Sequence, residues 1–394
     1  MLIDGKGYTI NLLILTMINE VEVTIQTIET LLENIEEGVV ISVLLNGGRS
    51  PRCVELFAQL ENIKYYESPA NLGVAGGRNF LLNTPECKSS DIVMILDNDV
   101  VSPQDYIRRL ATFLVRQKDA GVVGAAVGDV SCIPFELLKY YGNKGRFNNR
   151  VFTFDSHHIK SSIIKNLTEE RLFHIGINPN YYFAYFSIWP SLLRILNVFL
   201  NLLPTEKVNY SPTLKFNTKY QELIKKGINK YVVSNVAGCS QAFRRNLVDK
   251  IGYLNEMFSP YGYEDVEFCL RTIKAGYTNY IDTNTWLYHG TDNRHKKRNC
   301  DKELENKFRC VTILASIIFD KPILYKWIVI KLIMIDTLID MLREPLCSIK
   351  RFKLRWSGFK MGSESIIEKN SKVIEMDSTN DYDSTTATTK KDYV

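Results

Sequence analysis

The sequence predicts an α/β protein built on a mostly parallel central sheet flanked by helices. Short runs rich in Val, Ile, Leu and Tyr alternate with amphipathic stretches through the first third of the chain, which is how strands joined by crossover helices read. Glycine-rich or acidic segments follow several of these runs, where open sheets of this kind bind ligands. The 394 residues are 45% hydrophobic and 24% charged, enough to bury a large core and too apolar for wholesale disorder.

Four runs, at 8–16, 39–45, 63–67 and 91–96, are expected strands. The amphipathic stretches near 21–34, 51–61, 74–83 and 103–117 are their helices. Their order, βαβαβαβα, brings the loops at Thr16, Asn46, Asn71 and Asp97 together at the carboxyl ends of the strands. A fifth run, 121–127, closes this half, and residues 1–130 are expected to form one functional unit.

From 131 to 230 the pattern turns irregular and aromatic, as expected of a variable insertion. Its apolar middle, 181–203, contains Pro190, Arg194, Asn197 and Asn201, which suit a buried or interfacial hairpin better than a spanning helix. Regular structure is expected again over 231–299, with a helix opening near Tyr263 and short strands near 278–281 and 285–288. Helices are expected at 300–319 and 322–342 within a basic C-terminal segment, 300–362, and a disordered tail at 363–394.

The eight cysteines include no CxxC pair, so neither a zinc knuckle nor a disulfide framework can be read, and a reducing compartment is expected. Asp4 and Lys6 stand where a signal peptide would carry a basic leader, and a strand is expected instead. The net charge of +5 is too small to argue a nucleic-acid partner.

Four constellations can carry chemistry. Asp97-Asn98-Asp99 ends an apolar strand, and its two carboxylates can turn toward one ligand such as Mg²⁺ or Mn²⁺; a solvated turn with Asp99 capping the next helix reads the same way. The stretch from Asn71 through Gly73, Gly76 and Gly77 to Arg78 and Asn79 is a loop entering a helix. It suits either anionic oxygens or a tight turn that permits helix–strand contact. Glu264 and Asp265 open a helix, where the dipole stabilises acids and also keeps a general base ionised. His289 follows a short β run and is either a structural histidine or a metal ligand.

Taken in order, Thr16 with Asn19, Asn46-Gly47, the 71–79 loop, Asp97-Asn98-Asp99, Gly238-Cys239-Ser240, Glu264-Asp265 and His289 resemble a family 2 glycosyltransferase of the GT-A fold. The rhamnosyltransferase-like branch is the most similar, over 8–128 and 232–290. The resemblance implies inverting single displacement from a nucleotide-diphosphate sugar, with Thr16, Asn46, Asn71, Gly73, Gly76, Arg78 and Asp97 on the donor. It also implies Asp99 and His289 on Mn²⁺ or Mg²⁺, Asp265 as base and Glu264 beside it at the acceptor mouth. Leu45 stands where many relatives place a base-reading Asp, so the nucleobase stays open. The QxxRW motif of processive relatives is replaced by Phe352-Lys353-Leu354-Arg355-Trp356, which implies addition of a single sugar.

Residues 291–360 hold 16 Lys/Arg against 8 Asp/Glu. This surplus, with an amphipathic helix, is expected to give peripheral membrane contact through 310–360 at the cytoplasmic face, where a lipid-linked glycan would be the acceptor. Packing of these helices on the catalytic domain with a solvated basic face accounts for the same pattern. A nucleotidyltransferase and a silent nucleotide-sugar-binding or membrane scaffold are the rival readings.

Overall fold

The computed structural model describes residues 1–32, 35–58, 62–103, 105–129, 226–289, 300–318, 322–343 and 345–385. The insertion expected at 131–230 lies outside these except for its last five residues, as does the apolar hairpin at 181–203. The chain divides into two compact units, Met1–Lys297 and Arg298–Val394.

The first unit opens with a small hairpin, β1 (Leu2–Ile3) and β2 (Lys6–Gly7), and enters the main sheet at β3 (Ile10–Thr16). There follow α1 (Val21–Leu32), β4 (Val39–Asn46), α2 (Pro51–Ala58), β5 (Ile63–Ser68), α3 (Gly73–Leu82), α4 (Pro85–Lys88), β6 (Ile92–Leu96), β7 (Val100–Val101), α5 (Tyr106–Arg116) and β8 (Ala120–Asp129). The chain continues through β9 (Lys230–Val233), β10 (Ser240–Arg244), α6 (Asn246–Ile251), α7 (Glu264–Lys274) and β11 (Thr278–His289).

Strand order is β5-β4-β3-β6-β10-β8-β11-β7, with β9 also pairing β11. The expected α/β class holds, but only β5, β4, β3 and β6 form a parallel block; β10 is antiparallel to β6 and β8, and β11 is parallel to β8 but antiparallel to β7 and β9. The two short strands expected near 278–288 are one strand, with a register shift between Asp282 and Trp286 that preserves pairing with β8 through His289.

Alternation along the strands divides the core into two layers. On β3, Ile10, Leu12 and Ile14 face one side and pack with Ile28 and Leu31 of α1, Phe57 of α2, and Tyr106 and Leu110 of α5. Leu13 faces the other, with Leu81 and Leu82 of α3, Phe243, and Phe268 of α7. Burial on both faces explains why these strands read as continuous apolar runs. Leu45 belongs to the first layer and is fully buried. Side chains at two glycines would break the packing: a Cβ on Gly121 would lie 1.9 Å from Thr272 Cγ2, and one on Gly124 2.2 Å from Val236 Cγ1.

The second unit contains α8 (Cys300–Ile318), α9 (Pro322–Arg343) and α10 (Pro345–Thr385). Helix α10 runs on to Thr385, into the stretch from Ser363 expected as a tail, and that polar stretch contains neither Gly nor Pro. Residues 386–394 lie outside the description. Gly358 and Gly362 let α10 approach α8 closely, because a Cβ on each would lie 2.2 Å from Glu305 O and 2.7 Å from Arg309 O. Among the described residues no helix is long and apolar enough to cross a membrane.

Candidate active site

The sheet delivers its acidic residues to one place through β7. After Leu96 the chain turns through Asp97-Asn98-Asp99, and β7 then pairs antiparallel with the end of β11, setting His289 opposite Val100. The turn is held from behind by α1: the Thr27 hydroxyl donates to Asn98 O at 2.8 Å and accepts from the Val100 N–H at 3.1 Å, and Asn98 Nδ2 donates to Glu20 Oε2 at 2.9 Å. Both carboxylates thereby meet the imidazole, with His289 Nε2 3.1 Å from Asp97 Oδ2 and 3.2 Å from Asp99 Oδ1. One ligand atom each from Asp97, Cys239 and His289 lie within 4.8 Å of one another.

Electrostatics in this cluster follow from burial and pairing. Burial opposes ionisation of Asp97, but the His289 hydrogen bond and the Arg78 guanidinium outweigh it and hold its carboxyl at about 2. Burial likewise opposes charge on His289, yet the Cys239 sulfur and the Asp99 and Asp97 carboxylates raise it well above the ordinary histidine value.

The 71–79 segment is organised from β4. Asn46 Nδ2 donates to Gly73 O at 3.0 Å, and Asn46 Oδ1 accepts from the Leu72 N–H at 2.8 Å. Asn71 Oδ1 takes the Gly73 N–H at 2.9 Å, fixing Gly73 at φ +72°. Gly77 abuts Leu15 and Asn46, where a Cβ would come within 2.7 Å of Leu15 Cδ2, so α3 rests directly on the sheet. Gly76 has more room, with its nearest neighbour for a Cβ 3.2 Å away at Leu72. Thr16, at the end of β3, is buried with its hydroxyl 2.6 Å from that of Thr24. Asn46 and Asn71 are thus committed to shaping the loop, while the glycine backbone gives it its close approach.

Arg78, expected on the donor, has internal partners: its side chain is 5% exposed and reaches Asp97 Oδ1 at 2.8 Å, Glu264 Oε1 at 3.2 Å and Gly238 O at 3.1 Å. Three long-range partners make this second-turn helix arginine an internal tie between the Asp97 turn and the start of α7. Sequence spacing gave no sign of this, because Arg78 and Glu264 are 186 positions apart.

At the start of α7, Glu264 Oε2 accepts from the Gly262 N–H at 2.8 Å and Asp265 Oδ2 from the Gly238 N–H at 2.9 Å. Gly238 therefore serves both sides, its N–H on Asp265 and its carbonyl on Arg78. A Cβ there would lie 3.0 Å from Arg78 Nη1. Burial and the neighbouring Glu264 charge push the Asp265 carboxyl up to about 7, against the pull of Arg78 and two backbone N–H groups. Cys239, Glu20 and the Gly238 peptide were given no role by sequence reasoning. Cys239 and Gly238 could have been found from the Gly238-Cys239-Ser240 string, whereas nothing local marks Glu20.

The fold and site define an α/β protein with a carboxylate–imidazole cluster at its strand ends and a carboxyl of raised pKa at a nearby helix start. Residues 13–165, which include the loop and the Asp97-Asn98-Asp99 turn, match the family model Glycosyl transferase family 2. Gly238, Glu264, Asp265 and His289 lie beyond the matched stretch. No curated protein matches the chain by sequence. Among solved structures it is similar to GalNAc-T7 with UDP, GalNAc and Mn²⁺ at 10% identity and TM-score 0.49, covering 79% of this chain and 48% of that one. It thus spans about half the length of that protein. It is also similar to S. aureus TarS residues 1–349 (11% identity, TM-score 0.41, covering 81% and 69%). A third likeness is the Pyrobaculum calidifontis mannosyltransferase PcManGT with GDP-Man and Mn²⁺ (12%, 0.46, covering 93% and 87%).

Proposed function

We propose that this chain is an inverting, non-processive glycosyltransferase that moves one hexosyl or deoxyhexosyl group from a nucleotide-diphosphate sugar to a hydroxyl of a glycan or lipid-linked glycan. On this reading residues 1–130 form the donor half and 231–299 the acceptor half, and the reaction takes place at the cytoplasmic face of a membrane. The observation that carries the proposal is Asp265: a half-buried carboxyl held near 7, joined through Gly238 and Arg78 to the acidic turn that would bind the donor.

The donor set of Asp99 and Asp97 carboxylates with the His289 imidazole suits a Mn²⁺- or Mg²⁺-class ion, and Cys239 lies within reach. When bound there, the ion supplies charge neutralisation for a departing diphosphate. The chain's own groups do the rest. Ionised Asp265 accepts the acceptor hydroxyl's proton as that oxygen bonds to the anomeric carbon, and the bond from that carbon to the diphosphate oxygen breaks with its electron pair leaving on the diphosphate. Arg78 keeps the Asp97 turn and α7 in register for this displacement. Asp265→Asn is expected to lower turnover by about 10²–10⁴-fold while leaving donor affinity within a few-fold. Equal turnover in the variant and the parent would remove Asp265 from the mechanism.

A further inference from the structure

The second unit turns one of its helices inside out. In α9, Lys326, Asp336, Thr337 and Asp340 fall within about 100° of arc at the helical angle per residue, and Asp336, Thr337 and Asp340 are buried. Arg355 of α10 reaches Asp340 Oδ2 at 2.5 Å and Asp336 Oδ2 at 3.6 Å, and Arg351 reaches Asp340 Oδ1 at 3.0 Å. Buried carboxylates need such partners, so these ion pairs fix which side of α9 faces inward.

The opposite side is apolar and open. Ile323, Trp327, Met334, Leu338 and Met341 are 74, 58, 60, 45 and 51% exposed. At the helical angle per residue they fall within about 60° of arc, a stripe roughly 27 Å long. Exposed Lys326 borders the stripe on one side and half-buried Lys331 on the other. Scattered exposed apolar residues need no explanation, but a continuous helical stripe does.

We infer that this face of α9 lies in the surface of an anionic lipid bilayer, with Ile323, Met334, Leu338 and Met341 at the boundary of headgroups and acyl chains, Trp327 at headgroup depth, and Lys326 and Lys331 on lipid phosphates. The occupant is chosen by charge. Lysines flank the stripe, and Lys353 and Lys360 on α10 are also exposed, within a segment carrying 16 basic against 8 acidic residues. A helix with an apolar face between lysines, too polar on its other side to cross, is the form that lies in a membrane interface. The inference concerns the second unit alone and holds whether or not the first transfers sugar.

The test is co-sedimentation of the full chain with phosphatidylcholine vesicles and with vesicles containing phosphatidylglycerol, without donor or acceptor. Binding to the anionic vesicles is expected. A Met334→Glu/Leu338→Glu variant, altered only at exposed positions, is expected to bind about tenfold less or weaker still with unchanged circular dichroism and melting temperature. Lys326→Gln/Lys331→Gln is expected to reduce the preference for anionic over neutral vesicles. The inference is overturned if the parent does not sediment with anionic vesicles, or if the glutamate variant binds as well as the parent. It is also overturned if that variant instead abolishes self-association of a parent that ignores vesicles, which would make a second copy the occupant. Loss of transferase activity with vesicle binding intact would count against the proposed reaction and leave this inference standing.

Discussion

Replacing Arg78 by Met removes the guanidinium that pairs with Asp97 and Glu264 and takes the Gly238 carbonyl, leaving the buried Glu264 carboxylate without its cation beside Asp265. Arg78 is 4% exposed and Glu264 6%, so water cannot replace the guanidinium at Glu264, whereas the Asp97 side chain, 32% exposed, is partly solvated. Breaking a buried ion pair from one side costs about 3–5 kcal/mol. For a domain of this size that corresponds to a fall in Tm of about 6–20 °C at pH 7.5. The deficit should also depend on pH. Arg78 lowers the carboxyl pKa values of Asp97 and Asp265, so without it both rise, and the folded variant binds more protons than the folded parent. Stability of the variant relative to the parent therefore increases as pH falls from 7.5 toward 5. Parent Asp97, held at about 2, stays ionised throughout that window and contributes no change of its own. Thermal unfolding of Arg78→Met and the parent at pH 7.5 and 5 measures both effects, and Arg78→Lys, which keeps charge but not the fork, should fall between them. A Tm difference under about 2 °C at pH 7.5, or a deficit that widens on acidification, would refute the internal-tie account.

Two further predictions rest on other parts of the molecule. If Asp265 is the base, kcat/KM should rise with pH and level off above about 7, the value at which its carboxyl is held. Glu264→Gln removes the like charge that raises that value, so the rising limb should move to lower pH, as initial-rate profiles would record. In the second unit, Gly358→Ala would set a methyl against the α8 backbone at Glu305. It should destabilise the α8/α10 pair by about 1–3 kcal/mol in denaturant unfolding.

Much of the first unit was legible because its signals are local. Residues 10–16, 39–46 and 92–96 are strands buried on both faces, so each appears as an apolar run whatever its neighbours do. Glycines at 73 and 77 mark a φ above zero and a helix seated on a strand, both constraints that exclude a side chain. Direction was less legible, since β10 and β11 are largely buried like the parallel strands and nothing in their composition reveals that β10 enters antiparallel. Side-chain destination was least legible. Arg78, Glu264 and Gly238 meet only through tertiary folding, and an arginine that ties two of the chain's own acids reads in sequence like one waiting for an anion. Helix α9 shows the same limit: its periodicity fixed an apolar and a polar side but not which one faces out, because Arg351 and Arg355 reverse the usual assignment.

The central claim is that the Asp97–Asp99–His289 cluster holds a metal-bound nucleoside diphosphate. Its most direct test is the thermal shift of the parent and of Asp99→Asn with UDP, dTDP, GDP and CMP, each with and without Mn²⁺. A ligand present at about 100 times its Kd stabilises by about 2.7 kcal/mol, or about 5–11 °C here. The account predicts that one diphosphate produces such a shift in the parent only with Mn²⁺, and that Asp99→Asn loses it while keeping its unliganded Tm within about 2 °C of the parent. No shift from any nucleotide at millimolar concentration, or a shift that Asp99→Asn leaves unchanged, would contradict it.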